Sequence, residues 1–244
     1  MSDVVTVLPL LAQVQAAAVS PLGMSLADRP IATVIILGVL SLLPFALVML
    51  SSFVKIAVVL SIVRNAIGVP QLPPTMVVTG LAFLLSLLVM APVGAEVYRA
   101  ASPALELRSL DSAAAAGALI EAAKSSREPV RAFLVRHAHA RDRAVFTDVA
   151  RRMRSPADRG SVTDADFLVL MPAFVTSELK EAFSIGFLLF LPFLIIDILV
   201  ANVLLSLGMH MLSPTTVSLP FKLLLFVLAD GWVLLTRGLV LGYA

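Results

Sequence analysis

Long apolar runs alternate with polar segments along this chain. The last quarter contains two such runs, residues 185–208 and 219–243, joined by a turn without charged residues. Each run has roughly 24 residues and as a helix is about 36 Å long, enough to cross the hydrocarbon core of a bilayer. The pattern predicts an apolar helical hairpin whose tip is rich in methionine.

A second pair of apolar runs occupies the first half of the chain. The first extends over 31–65 and contains Pro44, which we expect to kink or divide it. The second extends over 75–95 and contains Pro92, which we expect to end or bend it. The segment 64–74 between them, RNAIGVPQLPP, has the composition of a rigid turn.

Residues 96–166 are different in kind, because they hold twelve of the 18 Lys and Arg residues and ten of the 16 acids. Helical spacing of apolar residues predicts helices over 111–126 and 128–153, and Met171-Pro172 is expected to open the next helix. The fold class predicted is all-α, with two kinked apolar hairpins and a soluble helical insert between them. The predicted segments are an N-terminal segment (1–30), a first hairpin (31–95), the insert (96–170) and a second hairpin (171–244).

Composition restricts the class of protein. Hydrophobic residues make up 59% of the 244 residues, whereas soluble domains lie near 45–50%. This indicates an integral membrane or membrane-assembly protein. The net charge of +2 gives no argument for a nucleic-acid partner, and the absence of cysteine excludes disulfides, thiolate metal sites and cysteine catalysis.

No enzymatic constellation is apparent. Asp197 and Asp230 lie in neighbouring apolar runs, but neither stands in a GxGD sequence as expected for a membrane aspartyl protease. His137 and His139 are two residues apart, so one helix would point them in different directions, and solvated helix positions are the expectation. No glycine-rich phosphate loop is present. We therefore predict no catalytic residue, no cofactor and no metal site.

Charged residues inside the apolar runs are more informative. An ionised side chain at mid-membrane costs about 2.5–3.5 kcal/mol, so such residues usually face protein or water. The sequence therefore favours neutralisation by pairing, within the chain or between subunits. The alternative is that these side chains lie at helix ends and reach water or lipid headgroups, which suits Lys55 and Glu178 better than Asp197. Our hypothesis places Glu178 and Lys222 in inter-subunit salt bridges and Lys55 and Asp197 at subunit contacts.

The tip of the second hairpin contains Met209, His210 and Met211, followed by Pro214. Methionine is flexible and polarizable, so several copies of this loop on an axis would form a compliant apolar constriction. The alternative is an apolar loop that dips into the membrane interface.

Four segments of the chain resemble the FliP/SctR family, the export-gate core subunits of bacterial type III secretion systems. They are FVKIAVVLSIVRNAIGVPQLPP (53–74), PAFVTSELKEAFSIGF (172–187), LPFLIIDILVANVLLSLGMHMLSPTT (191–216) and SLPFKLLLFVLADGW (218–232). Ser184 and the sequence Met209-His210-Met211 resemble the injectisome branch, SctR, more than flagellar FliP.

The resemblance implies a homopentamer that joins SctS/FliQ and SctT/FliR around a pore for unfolded secreted proteins. It implies that Met209 and Met211 belong to a methionine gasket in which His210 replaces a methionine. The expected location is the bacterial inner membrane, in contact with lipid.

The charge at the hairpin tips predicts the topology. Arg64 lies at the tip of the first hairpin and favours the cytoplasmic side for that tip, so the insert is expected on the periplasmic side. The alternative function is a stand-alone ion or solute channel or transporter subunit, which an inverted repeat would favour.

Overall fold

The computed structural model describes residues 38, 41, 45, 48–69, 73–106, 121–122 and 124–244. These residues form seven α-helices and one 3₁₀ turn, with no strand among them, so the all-α prediction is confirmed. The helices are α1 (Phe53–Ile67), α2 (Thr75–Glu106), α3 (Arg127–His137), α4 (Ala140–Met153), α5 (Phe167–Ser206), α6 (Pro214–Leu228) and α7 (Gly231–Leu241). The 3₁₀ turn is Arg159–Ser161.

Two compact units divide the chain. One consists of Phe45–Ala91 and Phe133–Ala244, and the other includes Pro92–Ala132. The ion pairs described below all lie within the first unit. The four segments predicted from the sequence stay a prediction.

Helix α1 forms the centre of the first unit. Its apolar residues Ile56, Val59, Leu60 and Val63 recur at intervals of three and four and are essentially inaccessible to solvent. Their main partner is α5. The helix ends at Gly68, whose φ of 81° is left-handed and therefore suits glycine.

The start of α1 lies later than the apolar run suggests. A turn at residues 50–52 separates it from the helical residues before it. The break predicted at Pro44 lies outside the described residues.

Two helix boundaries differ from the prediction. Helix α2 does not end at Pro92 but continues to Glu106, and the alternative of a bend at Pro92 stays a prediction. Helix α5 begins at Phe167, before the predicted start at Met171-Pro172. Asp166 is the residue before this helix, and its carboxylate accepts hydrogen bonds from the backbone N–H and hydroxyl of Thr163 at 3.1 and 3.0 Å.

Helix 128–153, predicted as continuous, is divided into α3 and α4 at Ala138-His139. The backbone at His139 is extended (φ −58°, ψ 136°), and its N–H donates to Ser177 Oγ at 2.9 Å. A hydrogen bond to another helix thus replaces a bond within the predicted one. Sequence periodicity carries no information about such a distant partner.

The last apolar run is also divided, by a 59° bend between α6 and α7. Asp230 at the bend has a left-handed φ of 48°. The following residue must be small, since a Cβ on Gly231 would lie 2.3 Å from Cε2 of Phe226. That ring packs edge-on against Trp232, with centroids 5.2 Å apart.

The exterior of α2, α5, α6 and α7 is largely apolar. Helix α5 and residues 75–103 of α2 are each long and apolar enough to cross a membrane, and the bent pair α6–α7 makes a third candidate. Only 17% of the most apolar window of α2 and 11% of that of α5 is buried inside the chain. Large side chains are exposed on both helices, including Phe83, Leu87, Phe183, Phe187 and Ile198. Lipid or other protein chains must cover these faces.

Close packing of α1 on α5 gives a stability prediction. A Cβ added at Gly186 would lie 2.4 Å from Ile62 Cδ1 and 3.1 Å from its Cγ2, whereas one at Gly80 on α2 meets nothing within 4 Å. Gly186→Ala should therefore destabilise the chain by about 1–2 kcal/mol, despite its better helix propensity. Gly80→Ala should leave stability unchanged or raise it by up to about 1 kcal/mol. Denaturant unfolding of both variants in detergent would measure the difference, and equal midpoints would contradict the packing.

Candidate functional site

A buried lysine lies at the centre of the most polar cluster in the chain. Lys55 Nζ lies 3.2 Å from Glu178 Oε1 and 2.7 Å from Glu181 Oε2. The lysine side chain is 4% exposed and that of Glu178 is fully buried. Neither charge could be accommodated there alone, because an unpaired buried ion is strongly unfavourable.

Tyr243, the residue before the last one in the chain, completes this cluster. The hydroxyl of Tyr243 donates to Glu178 Oε2, and its ring lies beneath the lysine with Nζ 3.9 Å from the centroid. The ring also packs against Phe133 and His137, with centroids 6.3 and 5.0 Å away. Burial first, and the nearby Glu178 carboxylate second, raise the pKa of the Tyr243 hydroxyl, which therefore remains a donor.

A second group of polar residues extends the cluster from α5 to α4. His139 Nε2 lies 3.0 Å from Glu181 Oε1, and its Nδ1 lies 3.7 Å from Asp142 Oδ2. Asp142 accepts hydrogen bonds from Lys180 and, at 2.8 Å, from Ser177 Oγ. The Lys180 hydrogen bond is the largest cause that lowers the pKa of the Asp142 carboxyl, and burial opposes it. We call the whole set the lysine–carboxylate network; its members are Lys55, His139, Asp142, Ser177, Glu178, Lys180, Glu181 and Tyr243.

His137 and His139 differ from their predicted state as solvated helix residues. His137 is partly buried between Phe133 and Tyr243, at 4.6 and 5.0 Å between centroids. Burial, followed by the positive charge of Lys55, lowers its pKa. His139 is half exposed but contacts two carboxylates. The prediction is therefore wrong for His137, which is partly buried, whereas His139 is exposed as predicted but stands at the break between α3 and α4.

A second buried ion pair joins α5 to α6. Lys222 Nζ lies 2.6 Å from Asp197 Oδ2 and donates to the backbone carbonyl of Ala66 at 3.3 Å. Ser218 Oγ donates to the other carboxylate oxygen of Asp197 at 2.5 Å. The ammonium group therefore also satisfies a carbonyl at the C-terminal end of α1. This pair connects three helices through one cation.

The four charged residues singled out from the sequence thus form two pairs inside one chain, Lys55 with Glu178 and Lys222 with Asp197. Their hypothesised places at subunit contacts stay a prediction. Sequence reasoning did not identify the roles of Asp142, His139 and Tyr243. One usable signal existed, since Glu178 and Glu181 are three apart on a helix and so share a face. Nothing in the sequence indicated that Tyr243 would reach the same point.

Asp197 and Asp230 show no arrangement of the aspartyl-protease kind. The carboxylate of Asp197 is bonded to Lys222 and Ser218, and Asp230 is an exposed residue at the bend between α6 and α7. Among the described residues, no group of three His, Cys, Asp or Glu side chains is placed to hold a metal ion.

The tip of the second hairpin lies far from the lysine–carboxylate network along α5. From Glu178 to Ser206 the helix rises about 42 Å at 1.5 Å per residue. The tip begins at Gly208, which has a left-handed φ of 74°, and Met209 N–H donates to Leu204 O at 2.9 Å. Met211 is 99% exposed and Met209 is 43% exposed. The structure therefore does not bring the two sets of predicted site residues together.

Comparison with known proteins identifies the relatives of the chain. The FliP family model matches residues 36–239. The Yop proteins translocation protein R of Yersinia pestis is 46% identical over 214 residues, covering 86% of this chain and 94% of that protein. The hypersensitivity response secretion protein HrcR of Ralstonia nicotianae is 44% identical over 213 residues, covering 87% and 97%. The flagellar biosynthetic protein FliP of Pectobacterium carotovorum subsp. carotovorum is 46% identical over 207 residues, covering 85% and 76%.

Removing one member of the central pair should be more harmful than removing both. Lys55→Met leaves Glu178 buried without its cation and should cost about 3–5 kcal/mol of unfolding free energy. Lys55→Met combined with Glu178→Met should recover most of that loss, because Glu181 is partly exposed and keeps His139 as a neighbour. Denaturant unfolding of the purified protein in detergent would measure all three free energies.

A matched surface pair serves as the control. Arg152 and Asp148 form an ion pair at 2.9 Å, but their side chains are 79% and 59% exposed. Arg152→Met should change stability by less than about 1 kcal/mol. If Lys55→Met were equally mild, the buried pair would not have the importance assigned to it.

Proposed function

The chain belongs to the FliP family, and from this membership we propose that it acts in protein export as a core subunit of a type III secretion export gate. In this proposal it helps to form the pore that conducts unfolded proteins across the bacterial inner membrane. The secretion and translocation functions in the names of its relatives support the general role. The remaining details rest on the distribution of charge and apolar surface.

The observation that carries the proposal is the distribution of side chains among the described residues: several charged residues are buried and many large apolar residues are exposed. The buried ions are paired inside, while large apolar side chains cover the outside of α2, α5 and α6. A single chain in a bilayer would need exposed apolar side chains only where its helices contact lipid. The proposed assembly buries these faces against further copies of the chain and against the small export-gate subunits SctS/FliQ and SctT/FliR.

We place the chain in the injectisome branch, with a homopentamer as the proposed oligomer. Ser184 and the tip sequence Met209-His210-Met211 favour this branch from the sequence side. In the same proposal residues 96–170 face the periplasm, and the hairpin tip Met209, His210 and Met211 forms the constriction. The pore is passive, so another part of the apparatus supplies the energy.

Purification gives the direct test of the assembly. We expect the chain, expressed in its host with the other export-gate genes and extracted in mild detergent, to appear in native mass spectra as a complex. The masses should correspond to several copies of this chain with the two small apolar subunits. A stable monomer that conducts ions by itself would instead support the stand-alone channel.

The proposed constriction gives a second prediction. Met209→Ala combined with Met211→Ala removes the flexible apolar side chains of the tip, so small-ion leakage through the reconstituted complex should increase several-fold. Planar-bilayer conductance would measure it. The matched control is Met76→Ala, which removes an 87% exposed methionine elsewhere in the chain and should leave conductance unchanged. Equal conductance of the tip variant and the wild type would refute the constriction.

A further inference from the structure

The tip of the second hairpin, defined here as residues 208–213, carries three consecutive side chains without polar partners. Met209, His210 and Met211 are all exposed. The His210 imidazole makes no hydrogen bond or ion pair within the described part of the chain, although its backbone N–H donates to Gly208 O at 3.0 Å. Two thioethers and one imidazole are therefore free to bind something else.

The backbone of the tip is ordered by its own hydrogen bonds. Met209 N–H donates to Leu204 O at 2.9 Å, and Leu212 N–H donates to Met209 O at 3.4 Å. Gly208 provides the left-handed turn that ends α5, and Pro214 begins α6. The ligand-bearing residues thus lie in a short turn between two helix ends, which reduces the entropy lost when a ligand orders them.

The geometry of consecutive residues allows the three donors to converge. The Cα atoms of Met209 and Met211 are at most about 7 Å apart, because each residue extends the chain by no more than about 3.6 Å. A methionine side chain has three rotatable bonds, so both sulfurs reach a point near the intervening imidazole.

The chemistry of the donors selects the ligand. Thioether sulfur is a soft ligand that favours Cu(I), whereas Mg²⁺ and Ca²⁺ require oxygen ligands. Structural zinc sites use thiolate and imidazole, often with carboxylate, and the tip contains neither cysteine nor an acid. None of the three donors is an anion, which favours a cation of low charge.

We propose that this tip is a binding site for a soft monovalent metal ion, Cu(I) or Ag(I), with Met209 Sδ, His210 and Met211 Sδ as its ligands. The site is complete within one chain and therefore does not depend on the proposed export function. If copies of the chain meet at their tips, the same donors lie side by side on the axis, and the bound metal would narrow the constriction.

Titration with silver nitrate tests the site directly, because Ag(I) is not oxidised or reduced under these conditions. The full chain, labelled with ¹³C-methyl methionine and held in chloride-free detergent solution, is observed by NMR. We expect the first equivalent of Ag(I) to shift the methyl signals of Met209 and Met211. Met76 and Met153, which are 87% and 84% exposed, are internal controls without a neighbouring histidine and should shift only at higher silver concentrations.

Substitutions separate a chelate from simple thioether binding. His210→Ala should weaken silver binding at Met209 and Met211 by at least about tenfold, because it removes the third donor. His139→Ala, which removes a histidine far from the tip, should leave the binding unchanged. Met209→Leu and Met211→Leu, which conserve volume, should each weaken the binding to the remaining donors. These tip residues are exposed, so the variants should fold as the wild type does.

The proposal is overturned if Met76 and Met153 titrate together with Met209 and Met211, or if His210→Ala binds silver as tightly as the wild type. Secretion measured with and without added silver gives a separate result. Tight binding at the tip with unaffected secretion would leave the metal site intact and count against the tip as the constriction of the export pore.

Discussion

The structure depends on one buried cation, the ammonium group of Lys55. It lies inside an apolar unit only because Glu178, Glu181 and the ring of Tyr243 surround it. Glu178 and Glu181 belong to α5, and Tyr243 follows α7. Lys55 on α1 therefore fixes how α1 packs against α5 and against Tyr243. The same carboxylates continue through His139 to α4. Helix α4 and the apolar helix α5 are therefore joined by charge as well as by packing.

Because the buried charges pair inside the chain, they do not by themselves require neighbouring subunits. From the sequence, the charges within apolar runs are the reason to expect neighbouring subunits. In the structure the chain neutralises Lys55 and Lys222 by itself, and even Asp197, the most accessible of the four, is only 23% exposed. The requirement for neighbours therefore rests on the exposed apolar faces and the unpartnered tip. Lipid can cover the apolar faces, whereas the side chains of residues 209–211 are exposed and have no polar partner among the described residues.

The sequence was sufficient for the features that local pattern determines. Long apolar runs and the charged segment predicted an all-helical chain, and the cost of isolated ions identified four of the residues that form buried pairs. Which residues pair depends on contacts that are distant in the sequence, 123 positions apart for Lys55 with Glu178 and 25 for Lys222 with Asp197. The break at His139 also involves a distant partner, because its N–H donates to Ser177, 38 positions away. The bend at Asp230 is accompanied by a local contact instead, since the ring of Phe226 leaves no room for a Cβ at Gly231. Periodicity detects a helix but not the tertiary contact that ends it.

Helix α5 connects the lysine–carboxylate network to the tip of the second hairpin. Glu178 fixes one end in the lysine–carboxylate network, and the tip follows the other end about 42 Å away along the helix. Over such a length a rotation of one degree at the fixed end displaces the far end by about 0.7 Å. A constriction or a metal site requires its side chains to be placed within about 0.5 Å, so even one degree of rotation at the fixed end is too much. The second ion pair, Asp197 with Lys222, braces α5 against α6 only about 14 Å before the helix ends. Two buried ion pairs therefore fix α5 at two points along its length, Glu178 and Asp197. Fixing the helix at both points also fixes the position of the tip that follows it.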